Sequence, residues 1–276
     1  MIFYQILIVE KDALAVFEIT FIILFSISIG SFLNVLIYRL PLRISLTNPK
    51  RSFCPQCQYN IPWYQNIPII SFLLLKGKCS SCKKSISFTY SLVEIVTVSI
   101  TIILYQKIGL SYEFYLITLI FYTLLCLSII DFKYKAVPDI LLLLLLILTL
   151  HYIFTYNTEN ISTFLMFAGG IVIIEFFVTF YVQNIKSRIL KNNKLKEQKA
   201  LGEGDIPIVA LIGGIMGLHL GLFTIFLSAI LAIIPSMINT ILKKEIETPF
   251  IPYLSLAFFI TYTNKNIIST FIRGLI

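Results

Sequence analysis

The sequence predicts an all-α polytopic membrane protein of about eight transmembrane helices, with a small cytoplasmic zinc-binding subdomain inserted between helices 1 and 2. Three observations carry that prediction. Hydrophobic residues make up 58% of the 276-residue chain and charged ones 13%, too little polar side chain to cover a water-soluble globule. The apolar residues gather in runs near the length that crosses a bilayer core. The one sizeable polar stretch between those runs carries two Cys-x2-Cys pairs.

Taken in order, the spans read as approximately 15–37, 90–106, 114–130, 140–156, 161–183, 206–218, 221–242 and 250–263, several of them short for a full crossing. The first carries Gly30, Ser31 and Asn34 and is too long and too poorly flanked for a cleaved signal peptide, so it is read as a retained helix. The domain reading is a first transmembrane helix at 1–37, a cytoplasmic four-cysteine zinc-binding domain at 38–91 and a membrane domain at 92–276 that holds the candidate catalytic acids. Placing the N-terminus outside puts 18 of the 22 Lys and Arg in inner segments. These are Arg39, Arg43, Lys50, Arg51, Lys76, Lys78, Lys83, Lys84, Lys133, Lys135, Lys186, Arg188, Lys191, Lys194, Lys196, Lys199, Lys243 and Lys244. Only Lys11, Lys107, Lys265 and Arg273 fall outside. The net charge of +8 is thereby assigned to loops lying against anionic membrane lipid, and no nucleic-acid partner is called for.

The polar stretch is too short to bury a self-sufficient core and needs a staple. Cys54 and Cys57 form one pair, Cys79 and Cys82 the other, with 21 residues between them. Four thiolates so spaced suit tetrahedral zinc. Two disulfides are the competing reading, but a loop in the cytoplasm keeps its thiols reduced. A redox role lacks the strand and helix pattern that surrounds such motifs. Four protein ligands leave no open coordination position, so the zinc is read as structural. Cys126, alone in an apolar helix, is read as packing, and His151 and His219, near outer span ends, as interfacial residues.

Two acids stand at predicted inner helix ends. Asp131 closes the third span in "LSIIDFKYKAVPD" and Asp205 opens the sixth in "GEGDIP". Though 74 positions apart, both lie at one membrane face under this topology and can meet. Two partly desolvated carboxylates share a proton: one acts as base on a water while the other, protonated, polarises a carbonyl. That is aspartic-protease chemistry. Helix capping is the alternative for Asp205, whereas an anion at a helix C-terminus, as at Asp131, opposes the macrodipole. Gly202 and Gly204 permit unusual backbone conformations and close approach of a substrate chain, and Gly213, Gly217 and Gly221 read as a small-xxx-small packing stripe. Asp139 follows Pro138 at a helix start, where capping is its natural role and a part in the site the alternative. Glu94 and Glu175 are ionisable groups within spans, functional candidates by default, although Glu175 equally fits an inward acid satisfied by a neighbouring helix.

The ordered set of motifs resembles the type IV prepilin peptidases, intramembrane aspartic proteases of the Gly-x-Gly-Asp kind. The matching stretches are "GSFLNVLIYRLP" at 30–41, the cysteine pairs, "NIPIISFLLLKGKCSSC" at 66–82, "SLVE" ending at Glu94, "DFKYKAVPD" at 131–139 and "GEGD" at 202–205 with Ala210, Gly213 and Gly217 beyond it. The resemblance implies that Asp131 and Asp205 are the catalytic pair; Asp139, Gly202, Gly204, Glu94 and Glu175 are read from the residues themselves as supporting positions. It implies type IV prepilins or type II secretion pseudopilins as substrates, cut on the cytoplasmic side of the bacterial inner membrane. It also implies methylation of the new N-terminus from S-adenosylmethionine, although no Gly-rich Rossmann loop marks a donor site and the cofactor-binding residues stay unassigned. A peptidase without methyltransferase activity is one alternative; a membrane transporter bearing a zinc module, whose inverted repeats are not found here, is another. Three positions depart from the family pattern: Pro207 where a lysine is usual, Ser91 in place of proline, and Ile251 in place of glycine in "FIPYL". Neither Ser91 nor Ile251 is expected to touch the acid pair.

Overall fold

The computed structural model describes residues 2–189, 202, 204–241 and 249–274. The predicted inner cations Lys191, Lys194, Lys196, Lys199, Lys243 and Lys244, together with Glu203, lie outside the described residues. The rest is helical apart from loops and two isolated β-bridges. The elements are α1 (Ile2–Arg39), α2 (Ile70–Leu74), α3 (Thr89–Ile108), α4 (Tyr112–Tyr134), α5 (Asp139–Tyr156), α6 (Ile161–Phe180), α7 (Ser187–Ile189), α8 (Asp205–Ile241), α9 (Ile251–Thr263) and α10 (Lys265–Arg273). A π-helical stretch, Tyr181–Lys186, continues α6. Among the described residues, six helical segments are long and apolar enough to cross a membrane, and α9 is a shorter apolar helix. The chain is a multi-pass membrane protein.

The six segments and α9 together account for the eight predicted helices because α8 is two helices joined at a turn. At Gly217 the backbone has φ 72° and ψ −175°, a conformation that side-chain residues rarely adopt. A Cβ built on Gly221 would stand 3.6 Å from the Cα of Gly213, whereas in a straight helix those residues are about 12 Å apart. The chain therefore doubles back at Gly217, giving the two spans expected at 206–218 and 221–242. The predicted glycine stripe is corrected accordingly. Gly217 is the turn itself, and Gly213 and Gly221 face one another across it with the Phe167 ring of α6 against both, 2.6 Å and 2.8 Å from their would-be Cβ atoms. No side chain fits there.

The contacts divide the chain into two compact units, Met1–Thr118 and Leu119–Ile276, with the boundary inside α4. In the first unit α1 packs on α3 at Gly30, where a Cβ would approach the Cα of Glu94 to 2.9 Å. Asn34, one turn on, donates from Nδ2 to the Tyr90 carbonyl at 2.9 Å. At the end of α1, Arg39 is only 4% exposed, yet its charge is not left bare. Its guanidinium donates to the carbonyls of Ser45, Leu46, Pro49 and Arg51 and lies 5.7 Å from the Phe53 ring centre, tying the start of the polar domain to the helix. Only a planar fork of donors can serve four acceptors in this way.

In the second unit the core forms where α4 meets α9. Phe121 stacks on Phe258 at 4.9 Å between ring centres and meets Phe259 edge-on at 5.1 Å. Ser128 donates to Ser255 at 2.9 Å. Leu145 and Ile153 of α5, Phe164 and Phe167 of α6, and Ile208, Leu211 and Ile212 of α8 complete the buried set. At the end that carries the Gly217 turn, Asn157 donates to the Ile215 carbonyl and fixes the α5–α6 connection against it. The opposite end is left for the acids. Large apolar side chains such as Phe176, Phe177 and Ile173 face outward from α6, as a lipid environment requires.

Candidate functional site

Asp131 sits in the last turn of α4 and Asp205 at the first position of α8; both are buried, at 8% and 7% exposure. The Asp205 carboxyl lies within electrostatic reach of Asp131 and, more weakly, of Glu175 on α6. Three of the predicted acids thus share one field. Asp131 lies beside the Lys135 charge, and its Oδ2 accepts a hydrogen bond from the backbone N–H of Ile251 at 3.3 Å. Ile251 opens α9, where the first amides have no partner within the helix and carry its positive end. The expectation that Ile251 stands apart from the acids is therefore corrected. Its contact runs through the backbone, so its side chain gave no hint of it.

The Gly-x-Gly-Asp turn reaches the site from the other side. Gly202 accepts the Asp205 N–H at 3.0 Å and has a backbone hydrogen bond to the carboxyl. Gly204 has a different task. A Cβ there would stand 2.8 Å from Cγ2 of Val137 and 3.0 Å from its Cβ and Cγ1, so the segment leading into α8 lies directly on the α4–α5 loop. This contact brings the two acid-bearing stretches together. Gly204→Ala is expected to lower any peptide cleavage by the acid pair by roughly tenfold to a hundredfold, the order that a misplacement of about 1 Å costs. Gly202→Ala should be mild, since its Cβ would meet the Asp205 carboxylate at an ordinary 3.6 Å. Combining Gly204→Ala with Val137→Ala should restore part of the loss. Quantifying cleaved product for the three variants checks this.

Asp139 is exposed in the first turn of α5, a place where a negative charge complements the helix dipole. Glu94 belongs to the first unit and accepts the Ile69 N–H at 2.7 Å.

The four cysteines come together. Each pair closes the same small motif: the first cysteine amide bonds to a carbonyl five residues on, Cys54 to Tyr59 at 3.0 Å and Cys79 to Lys84 at 2.9 Å. The residue after each second cysteine takes a left-handed conformation, with φ 58° at Gln58 and 57° at Lys83. An isolated bridge flanks each motif, Phe53 with Asn60 and Lys78 with Ser85. The two knuckles set all four sulfurs within 4.8 Å of one another, and none is oxidised to a disulfide. Backbone hydrogen bonds from Cys82 and Ser81 pull the Cys79 thiol down to about 7. At Cys82 the Lys84 backbone bond lowers the thiol, but burial and the other sulfurs outweigh it and push it up to about 11. Thiols this close cannot all ionise without a cation among them, and the donor set suits a tetrahedral metal such as zinc.

Two family signatures match the chain in succession. Residues 24–108 match the bacterial peptidase A24 N-terminal domain and residues 118–237 the type IV leader peptidase family. The chain is 34% identical over 230 residues to the prepilin leader peptidase/N-methyltransferase of Vibrio cholerae serotype O1, covering 79% of this chain and 86% of that protein. It is 29% identical to the protein of the same name from Pseudomonas aeruginosa, over 89% of this chain and 91% of that one. The same holds for the Neisseria gonorrhoeae protein, at 29% identity over 93% and 94%. No solved structure matches the chain. With the two signatures running in succession over most of the chain, and a relative 34% identical over 86% of its own length, the chain belongs to the type IV leader peptidase family.

Proposed function

We propose that this protein removes the leader peptide from type IV prepilins or type II secretion pseudopilins by aspartic-protease chemistry and then methylates the new N-terminal residue. The observation that carries the peptidase reading is the convergence of Asp131 and Asp205, from the ends of two different helices, into one electrostatically coupled site. Asp131, with the Ile251 amide and the Lys135 charge beside it, takes the part of the base that draws a proton from water. Asp205, flanked by two other acids, holds the shared proton and gives it to the carbonyl of the scissile bond. Water attacks the carbonyl carbon directly, so no acyl-enzyme forms. As the amide breaks, the proton gained by Asp131 passes to the leaving nitrogen and a hydroxyl proton of the tetrahedral diol returns to Asp205, so the dyad regains its single shared proton.

The remaining assignments follow the same reading. The acids face the cytoplasm of the bacterial inner membrane with the N-terminus outside, the orientation that the cation distribution favours. The Cys54, Cys57, Cys79 and Cys82 site holds a structural zinc ion whose closed ligand set keeps the polar domain folded. The relatives' printed name supports S-adenosylmethionine as the methyl donor. The decisive experiment incubates the purified protein with a prepilin, with and without that donor, and reads product masses. Cleavage at the leader boundary is expected in both, and one methyl group on the mature N-terminus only with the donor. Cleavage without the methyl group in its presence would leave a peptidase alone, and no cleavage would overturn the reading.

A further inference from the structure

Between α1, α3 and the cysteine-bearing domain lies a cavity of about 190 Å³, contained wholly within the first unit. Its walls are largely apolar and aromatic, with Tyr38, Phe53, Phe72 and Tyr90 among them. One acid enters it. Glu94 is only 6% exposed, and of its two carboxylate oxygens Oε2 accepts the Ile69 N–H at 2.7 Å. Among the described residues no charged side chain acts on this carboxyl. Arg39, which also lines the cavity, directs its guanidinium to four backbone carbonyls instead.

The backbone that Glu94 grips is itself under strain. Ile69 has φ 59° and ψ −52°, and the Ile70 N–H closes a three-residue turn on the Pro68 carbonyl. This is the γ-turn of the rarer, strained hand, with a β-branched residue at its centre, where positive φ is least tolerated. Such a conformation persists only where its surroundings over-determine it, and these places cluster at ligand sites. Here the carboxylate of a cavity-lining residue pins the turn with one oxygen, and the other has no hydrogen-bond partner among the described residues. A buried anion without a counter-charge is costly until a cation meets it, and aromatic walls favour the same kind of guest.

We propose that this cavity receives the cationic centre of the methylation reaction, with Glu94 as its anionic partner: the sulfonium of S-adenosylmethionine or the ammonium of the mature pilin N-terminus. The residues fit that role, as the acid, the aromatic walls and the lack of a competing cation all select for an organic cation. The inference rests on the methylation reading given above and assigns a site to it.

Equilibrium dialysis of the full-length protein in detergent tests the assignment, with tritiated S-adenosylmethionine in one arm and a peptide bearing the mature pilin N-terminus, free or acetylated, in the other. Glu94→Gln keeps an oxygen for the Ile69 N–H while removing the charge; unchanged zinc content and gel-filtration behaviour report that it is folded. Its affinity for the cation that docks there should fall roughly ten- to a hundredfold, the worth of a hydrogen bond to a charged group. Glu94→Asp should recover part of that. Loss in the first arm alone identifies the sulfonium; loss in the second alone, matched by acetylation, identifies the ammonium. In the wild-type protein, the same ligand should protect Glu94 from carbodiimide labelling, a readout that needs no variant. A folded Glu94→Gln protein that binds both probes as wild type, or labelling that neither probe slows, overturns the assignment. A wild-type protein that transfers no methyl group overturns the methylation reading instead.

Discussion

Asp131→Asn and Asp205→Asn are each expected to abolish prepilin cleavage while the protein still inserts in the membrane. Asparagine preserves shape and can still accept the Ile251 N–H at position 131, so the change removes proton transfer and little else. General acid–base groups contribute about 10²–10⁴-fold, which places residual activity near the limit of a gel or mass assay. On the proposed mechanism the pair acts as one proton-sharing unit, so the double variant should be scarcely worse than either single one. Cleaved and uncleaved prepilin in membranes bearing each variant give the measurement. Normal processing by either single variant would remove that residue from the mechanism. Additive losses in the double variant would show that the two act independently.

The second large effect concerns the metal. Cys54→Ser with Cys79→Ser removes one ligand from each knuckle and should strip the zinc and unfold the loop at 38–91. Binding a structural zinc contributes about 10–16 kcal/mol in small domains at neutral pH, far more than a loop of this size gains from its own core. Metal analysis of the purified variant and proteolysis of the loop check both parts. Unchanged metal content would dispose of the tetrathiolate site.

The dependence on pH has a definite sign. Cys79 is held near 7, below the usual thiol value of 9.0, so the fold favours its ionised form. That contribution is fully present above about 9 and is lost as the pH falls through about 7. Metal retention should weaken over that interval and further into acid, where protons compete for all four sulfurs. A chelator should therefore strip the protein faster at pH 6 than at pH 8.

Much of this architecture is legible in the residues themselves. Span lengths, the cysteine framework and the pair of acids are each written in a short stretch of chain, and each follows from a local requirement of bilayer thickness, ligand spacing or charge placement. Gly217 shows where local reading fails. As one of three glycines at intervals of four it looks like a packing stripe, and only its positive φ and the return of Gly221 towards Gly213 reveal a turn. Ile251 shows a second limit. Its amide reaches Asp131 across 120 positions, and every residue except proline has an amide to offer.

By itself, then, the chain determined a multi-pass helical protein, a four-sulfur cluster and the identity of two candidate carboxylates, because hydrophobic length and donor chemistry belong to the residues that carry them. Tertiary structure alone decided that Gly204 lies against Val137, that the start of α9 caps the first acid, and that Glu94 pins a strained turn at the edge of a cavity. These are meetings of backbone with distant side chains. A backbone group is the same in nearly every residue, so no sequence pattern marks the one that will be used.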